Sequence, residues 1–417
     1  MKINNYLLIA LFVTLGACKQ PPIEFADFDA FVDFDDFMPV KVQETDVLMP
    51  DGSLNPEISI MENPAIDPDV PEGMQRIAST TSAAMASDIL GTLNCNKVKQ
   101  IAGTYTGHDV DGSPLTLSGK VVVPSSGEVK NIIVVSHYTI GAAHEAPSEC
   151  FPFEGTLAAK GYAVVIADYI GYGVTSHMIH PYLHARSTSR SVVDFVRAVR
   201  PYLEHIGKKP KHDELILMGY SQGGATTLAV MRMMENDFED EFKIKKVYAG
   251  AGPYDLNATF DISMEQNKTG IPCAIPMIVQ GISLGERLNL DMADFFQPAL
   301  LASYEELINS KKYTVRDINR KINANKLSDI MTSEGRNKNS EQTARLYLAL
   351  FHNSVLNFEP KAPLYMFHSK TDDTVPFINS LKAEERFKKL NVDFDFDDYG
   401  NHMQGFLKFL KAVRKDL

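Results

Sequence analysis

From about residue 98 onward, short apolar runs alternate with amphipathic stretches. Ile101 to Tyr105 and Leu115 to Val123, separated by the turn Asp109-Val110-Asp111-Gly112 and stopped by Pro124, predict a β-hairpin. Asn131 to Ser136 (NIIVVS) and Tyr162 to Ala167 (YAVVIA) are apolar nearly throughout, as expected of strands covered on both faces of a parallel sheet. Leu215 to Gly219, Lys246 to Ala249, Leu364 to His368 and Val392 to Phe396 predict further strands. Between them, Ser187 to Ile206 places Val192, Val193, Phe195, Val196 and Val199 on one helical stripe. Strands and helices alternating in this way predict an α/β fold, a mostly parallel, doubly wound sheet with helices on both faces.

One interval interrupts the alternation. More than a hundred mainly helical-looking residues separate the strand ending near Ala249 from the strand at Leu364. A structureless loop of that size is incompatible with a compact domain, so 256–358 reads as an inserted helical cap or lid, dividing a core of 76–255 and 359–417. Its segment Ile271 to Ile282 (IPCAIPMIVQGI) is strongly apolar, and Phe295, Phe296, Leu300 and Leu301 continue that character. Such residues either face a cleft, favouring a substrate with an apolar part, or pack the cap's own core.

The N-terminus follows different rules. Lys2 precedes an apolar run from Tyr6 to Ala17 that is too short to span a bilayer and has the proportions of a secretory leader, so 1–17 reads as a signal peptide. Leu15-Gly16-Ala17-Cys18 resembles the lipobox of bacterial lipoproteins; the resemblance implies that Cys18 is lipid-modified and that acyl chains hold an exported protein on the periplasmic or cell-surface face of a membrane. Residues 18–75, rich in Pro and acidic side chains without sustained periodicity, read as an acidic tether. Within it Phe25, Phe28, Phe31, Phe34 and Phe37 recur every third residue, a spacing that drifts around an α-helix instead of forming a stripe. The segment either docks on its own domain or serves a partner.

A formal charge of −12 argues against nucleic-acid binding, which demands a basic face. Apart from Cys18 the cysteines are Cys95, Cys150 and Cys273, an odd number that allows one bridge plus a free thiol or three reduced thiols. None has a second Cys or His at metal-ligand spacing, so no metal site is expected.

The chemistry concentrates at Gly219-Tyr220-Ser221-Gln222-Gly223. A G-x-S-x-G between an apolar strand and a helical pattern is the signature of a nucleophile elbow, a tight turn that needs small neighbours around an exposed serine. A serine hydroxyl becomes nucleophilic only when a base removes its proton and a third group orients that base. Two acids, Asp372 and Asp373, follow the strand of LYMFHSKTDDTVP, and the D-x-x-V-P spacing favours Asp372. His402, in the loop Tyr399-Gly400-Asn401-His402 after the last strand, is the expected base; His368 lies within a strand and is expected to face the core. The oxyanion requires two N–H donors. Gln222, first in the helix after the serine, supplies one; the loop Ser136-His137-Tyr138-Thr139-Ile140-Gly141 supplies the other, from Tyr138, with Thr139 as its rival.

From about 100 to 410 the chain resembles the α/β-hydrolases, and within them the secretory lipases and their bacterial relatives. The likeness rests on YTGHDVDGSPLTLSGKVVVP, SHYTIGA, DYIGYG from Asp168 followed by HPYL from His180, GYSQGG, HSKTDDTVP and GNH. It implies an α/β-hydrolase fold, a Ser221, Asp372, His402 triad, an acyl-enzyme mechanism on carboxylic esters and no cofactor. It also implies a small-molecule or lipid-like ester as substrate, with the membrane reached through the N-terminal anchor. One departure is His137-Tyr138, where the family commonly has His-Gly. A peptidase or carbohydrate-ester esterase would use the same triad, because fold and triad do not set the substrate. A non-catalytic binding lipoprotein would retain the fold without needing the three groups.

Overall fold

The computed structural model describes residues 37–60 and 83–417. The leader, Cys18 and the Phe–Asp repeat up to residue 36 lie outside the described residues. Eleven strands follow in chain order: β1 (Met38–Asp46), β2 (Ile58–Ser59), β3 (Lys97–His108), β4 (Pro114–Pro124), β5 (Ile132–Ser136), β6 (Phe151–Pro152), β7 (Ala163–Ala167), β8 (Leu215–Tyr220), β9 (Ile244–Gly250), β10 (Leu364–Ser369) and β11 (Val392–Asp397). Nine of them form one sheet in the order β1-β3-β4-β7-β5-β8-β9-β10-β11, while β2 and β6 pair separately. The ladder is antiparallel from β1 to β7 and parallel from β7 to β11.

Alternation along the buried strands divides the core into two layers. Val134, Val165 and Leu217 point to the face covered by the helices Ala185–His205 and Gln222–Asp237. Their sequence neighbours Ile133, Val164 and Ile216 point to the other face, where Phe406, Phe409 and Val413 of the terminal helix His402–Asp416 cover them. This is why NIIVVS and YAVVIA look uniformly apolar: both pleat directions end in core. Each such side chain contributes about 1.5–3 kcal/mol on burial.

One expectation needs revision. Residues 38–46, assigned to a tether, form the edge strand β1, whose register runs from Met38 opposite Thr104 to Asp46 opposite Lys97. Phe37 is buried against Phe195 and Tyr202, with ring centroids 5.6 and 5.0 Å away. An edge strand is held largely by main-chain hydrogen bonds, so MPVKVQETD, with only Pro39 and Thr45 buried, carries no apolar alternation to reveal it. Of the two cysteine states the sequence leaves open, the structure has the reduced one: Cys95, Cys150 and Cys273 are all free, and burial pushes the Cys150 and Cys273 thiols up to about 12.

Between β9 and β10 lie the helices Leu256–Gln266, Ala274–Gly285, Met292–Phe295, Pro298–Leu301, Val315–Ile322, Leu327–Ile330 and Glu341–Asn353. Among the described residues no helix is long and apolar enough to cross a membrane.

Candidate active site

Because β7, β5, β8, β9, β10 and β11 run parallel, the loops leaving their C-terminal ends share one edge. The chain also reverses direction across the sheet here: from β5 it passes to β7 on one side and then to β8 on the other. Such switch points are where open α/β sheets bind ligands.

Ser221 leaves β8 with φ 59° and ψ −127°, a left-handed-side conformation unusual for a residue with a side chain, and is 8% exposed. Two glycines make the turn possible. A Cβ on Gly219 would overlap the Gly223 carbonyl, and one on Gly223 would overlap the Ser136 carbonyl and lie 2.9 Å from that of His137. The same close packing brings the loop after β5 against the start of the helix Gln222–Asp237. Gln222 is the first residue of that helix, where a backbone N–H has no intrahelical acceptor.

Asp372 stands in the loop after β10 and His402 opens the terminal helix after β11. The structure brings them together: His402 Nδ1 is 2.6 Å from Asp372 Oδ2. The other carboxylate oxygen, Oδ1, accepts the backbone N–H of Thr374 and of Val375, both at 2.8 Å. Burial works against charge on Asp372, but the His402 imidazole and hydrogen bonds from His368 and His402 outweigh it and hold the carboxyl well below the usual range. Nδ1 of His402 must therefore carry the hydrogen, leaving Nε2 as the free lone pair. That Nε2 is buried and has no hydrogen-bond partner among the described residues. Asp373, the rival acid, engages His402 differently, accepting its backbone N–H at 3.2 Å. Tyr220 donates its hydroxyl to the His402 carbonyl at 2.8 Å, tying β8 to the terminal helix.

His368 lies in the core strand as the sequence predicts, and it also reaches the site. His368 is fully buried, yet its Nε2 lies 3.3 Å from Asp372 Oδ2. The i, i+4 spacing of His368 and Asp372 across the strand end was the available signal.

The histidines of the HPYL segment support the site from behind. His180 Nδ1–H donates to the Ile170 carbonyl at 2.6 Å, so its Nε2 accepts from the Gln222 side-chain amide at 3.1 Å. His184 bonds Ser187 Oγ at 2.8 Å and approaches Glu286 at 3.6 Å, linking two helices. In the loop after β5, His137 donates to the Tyr138 carbonyl at 2.6 Å and stacks on Tyr169, 3.9 Å between centroids. Burial pushes His137 down to about 4; burial and then the Lys311 charge push His180 down to about 3, so both are neutral at physiological pH.

A cavity of about 730 Å³ opens beside the serine, lined on the sheet side by Thr139, Ser221, Gln222 and Asp372. On the opposite side Ile275 and Ile278 of the helix Ala274–Gly285, with Ile271 in the turn before it, supply an apolar wall, and Phe377 and Ile378 extend it. Met277, Val279 and Ile282 turn into the core, as do Phe295, Phe296 and Leu300. The apolar stretch thus divides between the two roles considered for it. Among the described residues no group of three or more His, Cys, Asp or Glu is placed to hold a metal ion.

Comparison with known proteins agrees with this architecture. Residues 153–409 match the model of the secretory lipase family. A secreted triacylglycerol lipase of Malassezia furfur is 24% identical over 249 residues, 59% of this chain and 61% of that lipase, so the match spans less than two thirds of the relative's length. The rice cell wall degrading esterase LipA of Xanthomonas oryzae superposes with a TM-score of 0.70 at 25% identity, covering 79% of this chain and 94% of that one. Lipase A of Candida antarctica shares the fold at 16% identity, with a TM-score of 0.58 over 73% of each chain. With most of the chain matched by the family model and the same α/β-hydrolase architecture in its structural neighbours, this protein belongs to the secretory lipase family.

Proposed function

We propose that the chain is an exported serine hydrolase that cleaves carboxylic esters, with Ser221 as nucleophile, His402 as general base and acid, and Asp372 as the group that orients the imidazole. The observation that carries the reading is the buried Asp372–His402 pair, whose Nε2 lone pair is left free on the sheet edge that also presents Ser221 to the cavity.

Nε2 removes the Ser221 proton as the serine oxygen attacks the ester carbonyl. The charge that develops on the carbonyl oxygen is met by the Gln222 backbone N–H and by a donor from the loop after β5, for which we favour the Tyr138 N–H; losing one such donor typically costs about 2.7–4 kcal/mol. His402 then protonates the departing alcohol, and a water deprotonated by the same nitrogen releases the acid from Ser221. Asp372 remains ionised throughout and stabilises the imidazolium. The helical segment 256–358 acts as a cap whose isoleucine face receives the apolar part of the ester.

Secretory lipase membership points to export, and the leader with Cys18 supports attachment to a bacterial membrane through lipid on that cysteine. Replacing Cys18 by Ala should move the protein from the membrane to the soluble fraction; unchanged partitioning would refute the anchor.

The activity is tested on the detergent-solubilised full chain with p-nitrophenyl esters from acetyl to palmitoyl, using Ser221→Ala as blank and a fluorophosphonate probe for the serine. Serine-dependent release with a preference for medium or long chains is expected. No release together with no labelling would instead favour a binding lipoprotein.

A further inference from the structure

The charge-relay side of the site contains a second imidazole that the reaction scheme leaves idle. His368, on β10, presents Nδ1 to Ser380 Oγ at 2.7 Å and Nε2 to two oxygens, the Val375 carbonyl at 3.2 Å and Asp372 Oδ2 at 3.3 Å. Its side chain and that of Asp372 are both completely shielded from solvent. Two acceptors facing one nitrogen decide the tautomer. An unprotonated Nε2 would set its lone pair against a carbonyl and a carboxylate in a buried site, with no donor between them. Nε2 therefore carries the hydrogen, and Ser380 donates its hydroxyl to Nδ1.

We propose that His368 is a positioning residue for the triad carboxylate, its Nε2–H sharing Asp372 Oδ2 with the Nδ1–H of His402. The inference rests on the triad reading above. Asp372 then has four N–H groups around its two oxygens: Thr374 and Val375 donate to Oδ1 and His402 to Oδ2, while the His368 Nε2–H, bonded to the Val375 carbonyl, stands 3.3 Å from Oδ2. The loop that carries Asp372 is partly exposed at Lys370, Thr371 and Asp373, so the aspartate gains its fixed plane from β10, the rigid strand beneath. A carboxylate held in one plane holds the His402 ring in one orientation.

The arrangement also sets the strength of the base. A second N–H on Oδ2 draws off part of the carboxylate charge that would otherwise stabilise the His402 imidazolium. The other titratable groups facing the pair are Asp373, which accepts the His402 N–H, and Tyr220, whose hydroxyl bonds the His402 carbonyl. Neither contacts Oδ2. Removing the His368 donor thus strengthens the pull of Asp372 on His402, and the acidic limb of kcat/KM moves to higher pH.

The test is the pH profile of ester hydrolysis by the full chain, for the native protein, His368→Phe, His368→Gln and Ser380→Ala, with Ser221→Ala as blank and a thermal melt for each. Glutamine keeps an N–H close to the Nε2 position; phenylalanine keeps only the ring. Expected for His368→Phe is a roughly tenfold lower kcat with little change in KM and an acidic limb raised by about half a pH unit. His368→Gln should restore most of both. If Phe and Gln lose activity equally and the limb stays in place, the residue only fills space and the inference fails while the triad stands. Should His368→Phe not fold, His368→Leu, which also lacks the N–H, must move the limb while Ser380→Ala, which leaves both acceptors facing Nε2, does not; if Leu leaves the limb in place, the inference fails. Hydrolysis that survives Ser221→Ala would instead overturn the triad reading itself.

Discussion

The two walls of the cavity are built by different means. On the sheet side, Ser221, Gln222 and Asp372 are held by main-chain geometry: a strained serine, glycines in contact with carbonyls, two N–H groups clamping one carboxylate oxygen. On the helical side, Ile271 and the helix residues Ile275 and Ile278 offer apolar side chains that make no hydrogen bond. The contrast teaches where each property resides. Under the proposed mechanism, bond-making geometry tolerates little displacement and is built into the sheet edge, whereas the choice of acyl group is a matter of volume and can vary on a helix without disturbing the edge.

Substitutions on the edge should collapse turnover. Ser221→Ala or His402→Ala is expected to lower kcat by at least about 10⁴-fold, and the double variant should be little worse than either alone, because the groups act as a unit. Steady-state kinetics on a p-nitrophenyl ester measures this; additive losses would break the comparison by showing that the edge is not one device. The next largest effect distinguishes the neighbouring acids. Asp372→Asn should cost about 10³–10⁴-fold in kcat by presenting the wrong tautomer to His402, and Asp373→Asn less than tenfold. A reversed order would transfer the orienting role to Asp373.

The edge also carries an acid sensitivity that the helical wall does not. The ordinary histidine value is 6.5 and burial holds His137 near 4, so between these values the unfolded chain binds a proton that the folded protein refuses. Stability is therefore full above pH 6.5 and declines as pH falls toward 4, by about 3 kcal/mol for this residue, with His180 acting in the same sense. Urea titrations at pH 7, 5.5 and 4.5 should show the decline, and His137→Gln should flatten it. The smallest effect belongs to the wall. Ile275→Trp should reduce activity on palmitoyl and other long-chain esters by about tenfold while leaving acetyl ester turnover within about twofold. An equal loss on all chain lengths would mean that the wall, too, positions the reacting groups.

Much of the edge was legible in the chain because each part needs an unusual local feature. The elbow requires Gly219 and Gly223 around Ser221, a buried strand reads as an apolar run, and an acid followed by V-P at a strand end marks the loop of Asp372. The role of His368 was not legible: a histidine inside an apolar strand is ordinarily packed and inert, and only the chain's return after β10 sets Asp372 over its ring. β1 escaped for the opposite reason, since an edge strand identifies itself by its partner and not by its own side chains. Nor could composition say which isoleucines of 271–282 face the cavity, because a helix apolar on several sides has no periodicity to choose among them.

By itself, then, the sequence determined the alternation of strand and helix, the elbow and the chain order of serine, acid and histidine, all consequences of local sterics and burial on two faces. The tertiary structure decided which lone pair faces which proton: the four N–H groups around Asp372, the free Nε2 of His402 and the division of the helical segment between core and cavity. These depend on groups far apart in the chain meeting at fixed distances, and only the packed sheet sets those distances.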